Sequence, residues 1–137
     1  WDIFYYVWLK LALGWPVTWL DWDVLFLIPW PWFGPWIAPA LIAVLFVFWG
    51  AKVLLSEAEA RFTWGNTTAF IIGSLLVLAS FLLPALPLLT QGETALRTYV
   101  PKGFSWGVYA IGYAIMAGSL WHVATHHQHR TPPRKDE

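Results

Sequence analysis

The chain has 137 residues, 58% apolar and 12% charged, with a formal net charge of zero and no cysteine. Soluble domains average about 45–50% apolar and about 25% charged residues, so there is too little charge here to cover a water-facing surface. The balanced charge, without a long basic run, argues against nucleic acid as a partner, and the missing cysteines exclude disulfides, thiolate metal sites and thiol nucleophiles.

Aromatic residues make up 19% of the chain, and twelve residues are Trp. The indole ring is amphipathic and favours the membrane–water interface. A soluble protein exposing this much Trp would aggregate. The sequence therefore predicts a single-domain, all-α, polytopic bundle integral to a membrane. Trp1 in place of Met reads as processing or an absent start, and no signal peptide of the usual form is visible.

Ile3 to Leu20 is apolar apart from Lys10, with Pro16 in its second half. Eighteen residues at 1.5 Å each give about 27 Å, barely a span. A central lysine costs about 2.5–3.5 kcal/mol on insertion scales, which the neighbouring Leu, Ile, Phe and Val offset. Residues 3–20 thus read as a fourth helix, with an interfacial helix as the alternative. An intramembrane lysine is a functional candidate by default, but near a helix end it snorkels. Asp21 or Asp23 pairs with it only if the chain folds back.

Asp21 to Pro39 holds four prolines (Pro29, Pro31, Pro35, Pro39) and four tryptophans (Trp22, Trp30, Trp32, Trp36). Proline removes a backbone donor, and open backbone is not tolerated against lipid. Residues 21–33 are therefore expected to be interfacial or re-entrant, with a helix break between Pro29 and Pro35. Trp22, Trp30, Trp32 and Trp36 serve as interface anchors, and Pro35 opens the next helix at its first position after Gly34.

Three spans follow. Gly34 to Leu55 carries one charge, Lys52, near its end; Thr68 to Leu89 carries none; Phe104 to Thr125 carries only His122. Between the first two lie Glu57, Glu59 and Arg61, of which Glu57 and Arg61 sit four apart as a surface pair. Asn66, Thr67 and Thr68 form a glycosylation sequon against a span, for which N-capping by Asn66 or Thr67 is the preferred reading. Pro84 and Pro87 kink or end the middle span. Residues 126–137 form a polar tail. One side of the membrane carries five cations (Lys52, Arg61, Arg130, Arg134, Lys135) and the other two (Arg97, Lys102), leaving out Lys10. The positive-inside rule then puts the tail in the cytoplasm, with a plasma or inner membrane as the setting.

Along the last span Gly103, Gly107, Ala110, Ala114 and Gly118 recur three or four apart and form one small-residue stripe. Such stripes let helices approach closely, which predicts a packing face against the chain's own bundle or another subunit. Continued past Thr125, the same face carries His122, His126 and His129. Histidines four apart can share a metal ion, although one helix supplies too few ligands for a closed site. The Gly118…His122 spacing resembles, over five residues, the Ala-xxx-His pattern by which membrane antenna helices ligate bacteriochlorophyll. That resemblance implies His122 as an axial ligand to a tetrapyrrole, haem or a chlorophyll-type pigment, with Trp106, Tyr109, Tyr113 and Trp121 around it. The plainer reading places His126, His127 and His129 with Arg130, Arg134 and Lys135 in a solvated basic tail near anionic headgroups.

No phosphate loop, nucleophile elbow or H-E-x-x-H is present, so no catalytic residue is assigned. The leading expectation is a non-catalytic accessory subunit of a larger membrane complex, with other membrane subunits and the bilayer as partners. A cofactor-binding protein using His122, and a small membrane enzyme or carrier using the histidine cluster, are the alternatives.

Overall fold

The computed structural model describes residues 1–26, 31–55, 62–88, 99, 101 and 103–125. Within them the chain runs α1 (Asp2–Leu13), β1 (Trp22–Phe26), β2 (Trp32–Pro35), α2 (Ile37–Leu55), α3 (Trp64–Leu82), a 3-10 turn (Leu83–Ala85) and α4 (Trp106–Thr125). Three segments, Ile37–Leu55, Trp64–Ala85 and Trp106–Thr125, are long and apolar enough to cross a membrane. The chain is a membrane protein on that basis, and each of the three segments overlaps one of the expected spans. Their outward side chains, such as Val47 and Phe48 on α2, Ile71 and Leu75 on α3 and Ile111 on α4, are exposed apolar groups suited to lipid.

A fourth helix is present but does not cover the expected residues 3–20: α1 stops at Leu13 after 12 described residues. Gly14 ends it in the left-handed region at φ 68°, its N–H returning to the carbonyl of Lys10 at 3.0 Å. A side chain is disfavoured in that conformation and glycine is not, and Pro16 then blocks any resumption.

The Trp/Pro-rich stretch adds strand to what the sequence predicts as an all-α chain. β1 and β2 pair antiparallel, with Trp22 opposite Pro35, Asp23 opposite Gly34 and Val24 opposite Phe33, and an irregularity follows Val24. This fits the expectation that the prolines forbid a continuous helix; Pro29 and Trp30 lie outside the described residues. Pro35 ends β2 instead of opening a helix, and α2 begins two residues later. Trp36 N–H donates to the Asp21 carbonyl at 3.0 Å, closing the hairpin base.

α3 starts four residues earlier than the sequence suggests, because Thr63, and neither Asn66 nor Thr67, is its N-cap. The Thr63 hydroxyl accepts from the backbone N–H of Asn66 at 3.3 Å. Pro84 sits in the 3-10 turn that terminates the span, as expected.

The core is the antiparallel pair α3 and α4. Gly73 and Gly112 meet backbone to backbone: a Cβ on Gly73 would lie 2.7 Å from the Gly112 carbonyl oxygen, and one on Gly112 2.8 Å from the Gly73 carbonyl oxygen. Around this crossing α3 buries Val77, Ser80 and Phe81, and α4 buries Tyr109, Met116, Ser119, Leu120 and Val123. Both sets repeat three and four apart, the spacing of a left-handed helix seam. α2 is tied on through two tyrosines of α4: the Tyr109 hydroxyl donates to the Ala38 carbonyl at 2.8 Å and that of Tyr113 to the Leu41 carbonyl at 3.2 Å. Buried phenols need such acceptors.

Candidate functional site

Where α3 begins and α4 ends, the polar side chains of both helices converge. Two residues inside its N-terminus, α3 places Asn66 against α4, and Asn66 makes two contacts there. Its carbonyl accepts from the Ser119 hydroxyl at 2.7 Å, and its side-chain Nδ2 lies 2.9 Å from Nδ1 of His122. Seven residues separate Asn66 from Gly73 and Gly112 from Ser119, so one seam carries both the glycine crossing and this polar latch. Beside it, Lys52 near the end of α2 holds its ammonium 3.7 Å above the Trp121 ring. That contact turns the expected snorkelling lysine into a cation–π tie between α2 and α4. The cleft under it has a volume of about 300 Å³ and is walled by Leu45, Trp49 and Leu120. Among the described residues the Trp49 indole N–H finds no acceptor.

The latch bears on the chemistry of His122. An amide nitrogen has donors only, so the Nδ1 facing it is the acceptor of this contact. Ligation through Nε2 needs its own lone pair free, which a reversed Asn66 amide, presenting its oxygen, would allow. Gly118, one turn before His122, has open space where a Cβ would point. No group of three His, Asp or Glu side chains that could hold a metal ion occurs among the described residues. His126 and His129 lie outside those residues.

The chain matches no family model, no curated protein and no solved structure. What it does has to be argued from its own geometry.

The small-residue stripe, of which Gly107, Ala110, Ala114 and Gly118 lie on α4 and Gly103 precedes it, is placed on the face turned away from α3. Gly103, Gly107, Ala110, Ala114 and Gly118 are all exposed, and a Cβ on Gly103, Gly107 or Gly118 would meet nothing within 4 Å. The chain's own close packing runs instead through Gly112, on the face the sequence reading passed over. Of the aromatic residues expected around His122, Trp106, Tyr109 and Tyr113 stand about 14–24 Å back along α4; Tyr109 and Tyr113 point to α2, whereas Trp106 and Trp121 are exposed.

A second polar group, at the other end of the bundle, gathers the N-terminal residues. The chain does fold back, bringing Asp21 and Asp23 toward α1. Asp23 accepts from the hydroxyl of Tyr6 at 3.0 Å, and burial, reinforced by that carboxylate, pushes the Tyr6 phenol well above its usual range. Lys10 donates to the carbonyls of Gly14 at 3.3 Å and Pro16 at 2.7 Å, capping α1. Asp21 accepts from the Thr18 hydroxyl and from the Thr18 and Val17 amides, and those bonds, with a smaller contribution from Lys10, hold its carboxyl below the usual carboxylate range. Of the expected interface anchors, Trp22 packs edge-on against Phe104, Trp32 lies against the core around Phe81, and Trp36 donates to the Thr18 carbonyl at 2.9 Å. Trp30 lies outside the described residues.

Proposed function

We propose that this chain is a non-catalytic subunit of a larger membrane assembly and that the small-residue face of α4 is its docking surface. The observation that carries the reading is the open stripe Gly103, Gly107, Ala110, Ala114 and Gly118, small residues against which none of the described residues packs closely. Facing lipid, such a stripe leaves a shallow groove that acyl chains fill poorly; facing another helix, it brings backbones close enough for dispersion and Cα–H···O contacts. The hairpin sits at the membrane–water interface on the far side from the tail. The tail is cytoplasmic in a plasma or inner membrane, following the excess of five cations over two. The test is the mass and absorption spectrum of the protein gently extracted from its native membrane. A defined heteromeric mass is expected; a lone chain under all mild conditions would end the proposal.

A second reading sets a tetrapyrrole against the open Gly118 surface with His122 as axial ligand. The space above Gly118 favours it, and the donor pattern at Asn66 counts against it. Visible absorbance that disappears in His122→Ala would support this reading; a blank spectrum in both proteins would dismiss it.

A further inference from the structure

A cavity lies away from His122, between α1 and the turn that follows it. It measures about 480 Å³, within the about 300–1,000 Å³ common for small-molecule sites. We propose that it holds one acyl chain of an anionic membrane phospholipid, whose phosphate pairs with Lys10.

The walls are apolar and fixed. Val7 and Leu11 come from α1, Val17 and Trp19 from the turn, Trp36 and Ala40 from the start of α2. Trp19 and Trp36 stack with ring centroids 5.6 Å apart and planes 22° from parallel. The Trp36 indole is anchored on the Thr18 carbonyl at 2.9 Å, and the Asp21 carboxylate locks the same turn through Val17 and Thr18. A cavity so lined gives water too few polar partners, and left empty it forfeits the dispersion contacts of its walls. In a bilayer the abundant apolar filler is a hydrocarbon chain.

Lys10 supplies the charge. It is the one cationic side chain in the lining, and it donates to the neutral carbonyls of Gly14 and Pro16. An ammonium has three donors, and two are used. Asp21, the nearby acid, accepts from the Thr18 hydroxyl and two amides, and its charge also acts on Lys10, so the phosphate competes with it for the ammonium. Depth selects the headgroup: Ala40 lies in the first turn of a helix long enough to span the bilayer. The cavity therefore lies at the end of a span, where lipid phosphates sit and where lysines reach. A chain below and a phosphate at the ammonium together describe an anionic phospholipid.

The experiment uses the full chain in phosphatidylcholine vesicles carrying a trace of phosphatidylglycerol with a photoreactive acyl chain. Parallel vesicles carry the same photoreactive chain on phosphatidylcholine or as a free fatty acid, and adducts are mapped by mass spectrometry. Phosphatidylglycerol should label the peptides around Val7 to Trp19 several-fold more than the lipid-facing Val47 and Phe48. Lys10→Gln should reduce that labelling to the phosphatidylcholine level, and Lys10→Arg should retain it. Ala40→Phe, which fills the cavity and leaves the charge, should abolish it. Equal labelling by both phospholipids would overturn the proposal, as would a fatty acid that labels as well as phosphatidylglycerol, or an Ala40→Phe protein labelled like the parent. Helical circular dichroism of each variant separates loss of the site from loss of the fold.

Discussion

The glycine crossing of α3 and α4 gives the most demanding prediction. Alanine at Gly73 places a methyl 2.7 Å from the Gly112 carbonyl oxygen and 2.8 Å from the Met116 nitrogen; alanine at Gly112 places one 2.8 Å from the Gly73 carbonyl oxygen and the Val77 nitrogen. These are backbone atoms that cannot rotate away, so α3 and α4 must separate. Overpacking of that kind costs about 1–3 kcal/mol. Alanine also gains up to about 1 kcal/mol of helix propensity over glycine. The same substitution at Gly107 or Gly118 meets open space and keeps only that gain. Because propensity is common to the two pairs, the difference between them isolates the overpacking, about 1–3 kcal/mol. Unfolding titrations with sodium dodecyl sulfate, followed by helical circular dichroism, compare all four variants in one detergent. Gly73→Ala and Gly112→Ala should unfold earlier than the parent, and Gly107→Ala and Gly118→Ala no earlier. Equal midpoints across the four would refute the crossing.

Three further outcomes follow from the polar contacts and the charge count. Ser119→Ala removes the donor to the Asn66 carbonyl and should destabilise the chain by about 0.5–1.5 kcal/mol in the same titration. Asp21 titrates below the usual carboxylate range in the folded chain, so its hold on the turn is complete above its unfolded value and is lost as pH falls through the lower folded one. Protection of the Val17 and Thr18 amides, measured against the unstructured exchange rate at each pH, should therefore fall on acidification in the parent, and Asp21→Ala should lack that protection at every pH. A reporter fused after Glu137 should behave as cytoplasmic, and a cysteine replacing Lys102 should react from outside with an impermeant reagent; labelling only after lysis would reverse the topology.

The spans were legible because their signal is mean composition: about twenty apolar residues in a row suffice whatever faces they present. Facing was not legible for the same reason, since a helix apolar on all sides shows no contrast between lipid and core. The stripe on α4 drew notice through spacings of three and four, whereas the seam itself is marked more sparsely, by Asn66 and Gly73 on α3 and Gly112 and Ser119 on α4, seven residues apart within each pair. That heptad spacing, read on both helices together, is the signal that would have found the crossing. Gly14 and Pro16 were visible as breakers, and weighing them above hydropathy would have shortened α1 to its 12 residues. Pro29, Pro31 and Pro35 argued against a continuous helix but did not specify a hairpin, which depends on Trp36 returning to Asp21, and Pro39 is accommodated in the first turn of α2. At His122 the ring was visible and its partner was not, because Asn66 lies 56 residues away.

The docking face is tested most directly by native mass spectrometry of the protein extracted from its own membrane as the parent, Gly107→Leu, Ala114→Leu and Ile115→Leu. The account predicts a heteromeric mass for the parent and Ile115→Leu, and the free chain for Gly107→Leu and Ala114→Leu, with all four melting alike once isolated. A free chain in every case, or one heteromeric mass retained by all four, would contradict it.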